Sequence, residues 1–124
     1  MIRLLTLSAC TLLAAGWLLA DHTSAAEPAP DFQRDVRPIL SNLCYQCHGF
    51  DEAARAADLR LDQRAAAIEP HDGHAAIVPG KPDESELIRR ILSTDPDVQM
   101  PPPASNKVIT DAQRYLLRRW IAAG

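Results

Sequence analysis

Apolar residues recur every three or four positions in three segments of the chain, the spacing that places them on one face of a helix. The segments begin near Asp31, Pro82 and Asp111. Their apolar positions are Phe32, Val36, Ile39 or Leu40, and Leu43; then Leu87, Ile88 and Ile91; and finally Leu116, Leu117, Trp120 and Ile121. The pattern therefore predicts three amphipathic helices.

Residues at the ends of these segments refine the prediction. Pro38 lies inside the first pattern, and since the residue before a proline avoids the α region, we expect a kink or a restart near Arg37. Thr110 and Gln113 have the spacing of a capping box, which starts the third helix. Gly124 stands where that helix should stop.

The segments between these helices have weaker patterns. We expect a short helix over residues 53–57, followed by Leu59 and Leu61, whose alternation suggests a short strand. Residues 71–81 contain glycine and proline and predict a loop, with residues 75–78 entering the core. Four prolines within residues 93–106 remove backbone donors and predict an extended loop.

The N-terminus has the layout of a secretory signal. Arg3 is followed by an uncharged run over residues 4–20, and small residues at 24–26 allow cleavage before Glu27. We therefore expect residues 1–26 to be a signal peptide. An uncleaved membrane anchor is the alternative, because a run of 17 residues is at the lower limit of the roughly 17 to 25 that span a bilayer. Cys10 resembles a lipoprotein cysteine but precedes most of the apolar run, which argues against lipidation.

Cleavage there would leave residues 27–124, a length of one domain. This part has 12 basic and 15 acidic residues, a formal charge of −3, and does not favour nucleic-acid binding. The whole chain has only two residues each of Phe, Trp and Tyr. Such a chain builds a thin apolar core by itself, and a large flat apolar cofactor would complete it.

The most specific chemical signal is the run Cys44-Tyr45-Gln46-Cys47-His48, because two cysteines two residues apart with an adjoining histidine form the attachment motif of a c-type haem. The two thiols add to the haem vinyl groups, and His48 supplies an iron ligand. A thioredoxin-like dithiol is disfavoured because no strand-rich flank surrounds the motif. A zinc site completed by His71 and His74 remains open as an alternative.

Met100 is the candidate for the second iron ligand. Apart from the initiator it is the only methionine, and it directly precedes three prolines, 52 positions after His48. The alternatives are that Met100 fills a gap in the core, or that His71 or His74 takes the sixth position. If His48 and Met100 occupy both axial positions, no site remains for a substrate, and the expected function is one-electron transfer.

These residues and several further stretches make the chain similar to the planctomycete-type cytochrome c domain, a branch of the class I cytochromes c. The stretches are residues 32–40, 44–49, 59–62, 76–82, 85–87, 100–103 and 119–121. The resemblance covers nearly all of residues 27–124. It implies an all-α, class I cytochrome c-like domain around one covalently bound haem c, with the first and last helices crossing near Phe32 and Trp120 and the haem between His48 and Met100.

The expected function is a monohaem electron carrier or electron-transfer module, not an enzyme, exported to the periplasm and served by redox partner proteins. One alternative is a haem-based sensor, or a domain that binds a gas or peroxide, in which Met100 is displaced from the iron. Another alternative is a haem-free zinc or dithiol module. Binding of nucleic acid is not expected, whereas a membrane tether through the N-terminal segment is compatible with the sequence.

Overall fold

A computed structural model of the chain describes residues 27–124. The signal-peptide or anchor prediction for residues 1–26, and Cys10 with it, lies outside this range. Within it, no helix combines the length and the apolar character that crossing a bilayer requires.

The first helical segment has two geometries. A π-helical turn over Phe32–Val36 continues directly into α1, Arg37–Leu43. Pro38 has no backbone N–H, and the backbone N–H of Arg37 donates to the carbonyl of Phe32, five residues back. The predicted irregularity near Arg37 is confirmed as this change from wide to regular helical turns.

The middle of the chain differs from the prediction. Residues 53–57 form no helix, because Ala57 and the following Asp58 adopt positive φ angles of 54° and 51°, which an α-helix cannot contain. The short helix α2 instead occupies Arg64–Ile68. Leu59 and Leu61 are not in a strand; Leu61 is buried and Leu59 packs against the core at partial exposure.

Two short strands lie in the segment that was predicted as a loop. They are β1, Pro70–His71, and β2, His74–Ala75, paired antiparallel with His71 opposite His74. Asp72 and Gly73 make the connecting turn with φ angles of 51° and 84°, as the Asp-Gly sequence favours. The prediction that this region enters the core is correct for Ala75, Ala76 and Ile77, which are buried.

The second predicted helix consists of two parts. A single 3₁₀ turn covers Pro82–Glu84, and helix α3 covers Glu86–Leu92. Its predicted stripe is confirmed, because Leu87, Ile88 and Ile91 are all buried. The segment after it is irregular as predicted, apart from a 3₁₀ turn at Pro103–Ser105.

The last helix, α4, covers Asp111–Ala123 and begins with the predicted capping box between Thr110 and Gln113. Leu117 and Ile121 are buried, and Trp120 packs at partial exposure against the first helical segment, with its ring centroid 5.6 Å from that of Phe32. The contact between the first and last helices closes one side of the core. On the other side of the core, the buried Leu61, Leu87 and Leu117 line a cavity.

Candidate haem-binding site

The motif of two cysteines and a histidine continues directly from the end of α1. The backbone N–H of Cys44 donates to the carbonyl of Leu40 at 2.8 Å, so the helical path extends into the motif. The N–H groups of Cys47 and His48 then both donate to the carbonyl of Cys44, at 3.1 and 2.9 Å. These bonds fold the five residues into a tight turn that carries both thiols and the imidazole.

The two thiols are free and differ in exposure, since Cys44 is half-buried and Cys47 is exposed. Burial raises the pKa of the Cys44 thiol to about 11, while the positive charge of Lys107 opposes that shift. Cys44 is therefore a protonated thiol at neutral pH.

The imidazole of His48 has a nitrogen without a partner. Its Nδ1 atom is buried and accepts or donates no hydrogen bond within residues 27–124. Burial lowers the pKa of His48, the neighbouring backbone of Ala56 opposes this shift, and the charge of Arg90 adds to it. A neutral imidazole with unsatisfied hydrogen-bonding capacity is the form in which histidine binds a metal ion.

The segment after the motif folds back over it. The backbone N–H of Ala56 donates to the carbonyl of Cys47 at 2.7 Å, and that of Leu61 donates to the carbonyl of His48 at 2.9 Å. The Arg55 side chain donates to the carbonyl oxygens of Gly49 and Phe50, both at 3.1 Å. These bonds explain why residues 53–57 are not helical, since their polar groups hold the motif instead.

Met100 lies at the site although it is 52 positions after His48 in the sequence. Its backbone N–H donates to the carbonyl of Arg90 near the end of α3, at 3.1 Å. The prolines that follow cannot donate backbone hydrogen bonds. The position of Met100 therefore depends on the residues before it and on α3.

The four residues predicted to hold the haem line a single cavity of about 420 Å³, namely Cys44, Cys47, His48 and Met100. This volume is within the range of roughly 300 to 1,000 Å³ that is usual for cofactor sites. Most of the remaining wall is aliphatic, and its large apolar members are Leu43, Leu59, Leu61, Leu87, Ile91, Ile109 and Leu117. The cavity thus combines an apolar wall with sulfur and imidazole ligands.

Four charged residues at the cavity were not identified from the sequence as part of the site: Asp72, Glu86, Arg90 and Lys107. Arg90 lies in the last turn of α3, where a positive charge is favourable in any helix. Its spacing of three residues from the buried Leu87 places it on the inward side of α3, and this spacing was the available signal. The Lys107 ammonium donates to the carbonyl of Asn42 at 2.5 Å, which ties the segment before α4 to α1.

His71 and His74 also line the cavity, although both are exposed. The structure therefore leaves them as alternatives to Met100 for an iron ligand. Among residues 27–124, no three side chains of His, Cys, Asp or Glu are grouped as a metal site. The zinc alternative, which needs both histidines beside Cys44 and Cys47, gains no support from this geometry.

The side chains present fit a covalently attached haem. Two unbridged thiols stand at one cavity, a buried imidazole nitrogen lacks a partner, and a thioether lies at the same wall. Cysteine thiols for attachment, with an imidazole and a thioether as iron ligands, are the chemistry of cytochromes c. An apolar wall also suits a porphyrin, whose faces are hydrophobic.

Comparison with known families agrees with this chemistry. Residues 44–104 match the family described as Planctomycete cytochrome C, a range that begins at the first motif cysteine and includes Met100. No curated protein and no solved structure matches the chain. The family implies a c-type cytochrome with covalently bound haem c, and domains of this kind are generally electron carriers. Through residues 44–104, the chain belongs to the Planctomycete cytochrome C family.

Proposed function

We propose that the chain is a monohaem c-type cytochrome that transfers one electron at a time and is not itself an enzyme. The observation that carries this proposal is the convergence of Cys44, Cys47, His48 and Met100 on one cavity, although Met100 lies 52 positions after His48. The family resemblance implies that Met100 is the second axial ligand. The shared cavity supports Met100 in that role.

Each of the four residues has a separate task in this proposal. Cys44 and Cys47 would hold the haem through thioether bonds, and His48 and Met100 would supply a nitrogen and a sulfur ligand to its iron. When bound, haem c supplies a reversible one-electron change between ferric and ferrous iron. The protein residues fix the cofactor and set its potential, and a Met/His pair favours a higher potential than stronger donors do.

The cavity wall supports electron transfer over catalysis. Aliphatic side chains such as Leu87 and Ile109 exclude water from the cofactor, which limits the reorganisation of solvent when charge changes. With both axial positions occupied by protein atoms, the iron has no open position for a substrate. A haem held in this way would exchange electrons with redox proteins as partners.

We further propose that the domain adopts the all-α class I cytochrome c fold around one haem, with the short β1–β2 hairpin as an addition to it, and is exported to the periplasm. The contact between Phe32 and Trp120 supports the expected pairing of the first and last helices. The charge and apolar pattern of residues 1–26 supports a signal peptide, with a membrane anchor as the alternative. Export also provides the compartment in which haem is attached to cysteine pairs of this type.

The test is an absorption spectrum and a haem stain on a denaturing gel, with protein produced in cells that carry haem-attachment machinery. We expect stain at the mass of the chain, one iron per chain, and the weak long-wavelength band of ferric methionine-ligated haem. Colourless protein, or zinc without iron, would contradict the whole proposal. Covalent haem without the methionine band would contradict the carrier assignment and favour the sensor alternative.

A further inference from the structure

Two adjacent arginines on α3 share one carboxylate but differ in what else they contact. Glu86 accepts hydrogen bonds from Arg89 Nε at 2.6 Å and from Arg90 Nε at 2.7 Å. Within the described residues, the Arg89 side chain bonds to Glu86 and to nothing else, and it is more exposed than Arg90. The side chain of Arg90 lines the cavity together with Glu86.

Arg90 contacts the Met100 segment twice. Its carbonyl oxygen accepts the backbone N–H of Met100 at 3.1 Å, and its guanidinium Nη1 donates to the carbonyl of Val98 at 3.4 Å. The N–H groups of Val98 and Gln99 both donate to the carbonyl of Asp95, so the chain turns just before Met100. Arg90 thereby holds this turn from both its backbone and its side chain.

Backbone hydrogen bonds from this segment to other elements are few. Pro101 is buried, but the three prolines have no N–H to donate, and the carbonyls of Pro102 and Pro103 accept only from the nearby Ser105 and Asn106. A charged guanidinium oriented by a carboxylate forms stronger hydrogen bonds than a neutral donor. The side chain of Arg90 is therefore well placed to restrict movement of Met100 away from the cavity.

We propose that Arg90 is a positioning residue for Met100, with its guanidinium oriented by Glu86 and holding the carbonyl of Val98. This inference rests on the proposed function, in which Met100 binds the iron. When the guanidinium contact with Val98 is lost, the backbone bond between Arg90 and Met100 stays in place. The loss of this contact nevertheless shifts the equilibrium between iron-bound and detached Met100 toward the detached state.

The direct test compares Arg90→Met with Arg89→Met in the ferric, haem-loaded protein, titrated with imidazole. Exogenous imidazole competes with Met100 for iron, so its apparent affinity rises as Met100 detaches more often. We expect the affinity to rise about 2- to 10-fold in Arg90→Met, the effect of losing one net hydrogen bond. Arg89→Met, which removes an equal charge from the same helix and the same carboxylate, should bind imidazole like the wild type. Equal affinities in the two variants would overturn the proposal.

Two further variants separate position from charge. Arg90→Lys keeps the positive charge but lacks the planar fork that serves Glu86 and Val98 together, so it should bind imidazole more tightly than the wild type. Wild-type affinity in Arg90→Lys would show that charge alone matters and would overturn the proposal. Glu86→Gln should give a smaller increase than Arg90→Met, and it decides the question if Arg90→Met fails to fold. An unchanged affinity in Glu86→Gln would then contradict it.

Amide hydrogen exchange in the ferrous protein distinguishes failure of this inference from failure of the proposed function. Faster exchange at Val98, Gln99 and Met100 in Arg90→Met than in Arg89→Met supports the positioning role even if the wild type lacks a methionine-iron band. Absence of that band would contradict only the ligand assignment. A normal band with identical exchange in both variants would contradict only the role of Arg90.

Discussion

The Cys44–His48 segment and the Met100 segment line the same cavity, but the protein holds them by different means. The first is a continuation of α1 and retains helical hydrogen bonds from Cys44 onward. Further bonds from Ala56 and Leu61 to the carbonyls of Cys47 and His48 fix it from the other side. Its conformation is therefore determined by backbone bonds on both sides of the motif.

The Met100 segment has fewer fixed points. It is attached to α3 through the carbonyl and guanidinium of Arg90, and the prolines after Met100 donate no backbone bonds. A segment with few hydrogen bonds opens at lower free energy than one within a bonded network. The comparison predicts that ligand exchange occurs at Met100 and that His48 stays bound.

The largest expected effect comes from removing the two attachment residues. Cys44→Ser combined with Cys47→Ser should abolish covalent haem, because a hydroxyl does not form the thioether bond. The measurement is haem stain after denaturing electrophoresis. Gln46→Ala is the matched control, since it changes an exposed residue between the two cysteines and should stain like the wild type. Stain retained by the double variant would contradict the thioether assignment.

The second largest effect is expected from removing the iron ligand of the Met100 segment while both attachment cysteines stay. Met100→Ala should keep covalent haem but lose the methionine-iron band, lower the reduction potential and bind carbon monoxide more tightly in the ferrous protein. Potentiometry and absorption spectra measure these changes. His71→Ala and His74→Ala serve as controls, because both histidines line the cavity and should leave the band intact. Loss of the band in either control, with Met100→Ala unchanged, would assign the ligand to that histidine.

The Cys44–His48 segment and the Met100 segment also differ in how much of their structure the sequence predicted. The haem motif is local, so five consecutive residues identify it, and the capping box of Thr110 and Gln113 defines α4 for the same reason. Met100 was predicted from its rarity and its prolines. The contact of Arg90 with the Met100 segment was not predicted. It joins α3 to a loop through an arginine in the last turn of the helix, where positive charge is common without any such contact.

The errors in the middle of the chain have a similar origin. Residues 53–57 have good intrinsic helix propensity, yet the N–H of Ala56 bonds to Cys47 and the chain adopts positive φ at Ala57. A tertiary bond overrode a local preference. The hairpin at residues 70–75 was a missed local signal, since Asp72-Gly73 is a preferred sequence for a two-residue turn.

A third prediction tests how tightly the Cys44–His48 segment is packed. A Cβ atom on Gly49 would lie 2.3 Å from the carbonyl oxygen of Tyr45, so Gly49→Ala requires the backbone of the motif to shift. We expect the free energy of unfolding to fall by about 1–3 kcal/mol, as for other overpacked sites. Denaturant unfolding measures it. Gln46→Ala, an exposed change in the same turn, should stay within about 0.5 kcal/mol of the wild type. Equal stability of the two variants would show that the turn yields easily.

The smallest expected effect concerns how the free energy of unfolding depends on pH through Glu86, which contacts Arg90 beside the Met100 segment. Hydrogen bonding to Arg89, with further help from Arg90, lowers the pKa of Glu86 from 4.5 to about 2. Because the unfolded chain binds this proton more readily, the contribution of Glu86 to stability is complete above pH 4.5 and is lost as pH falls toward 2. Glu86→Gln should therefore reduce the loss of unfolding free energy over this pH range, measured by denaturant titration at each pH. Glu84→Gln, a nearby carboxylate paired with Lys81, is the control. If both variants follow the wild-type pH profile, Glu86 has no such role in holding α3 and the Met100 segment together.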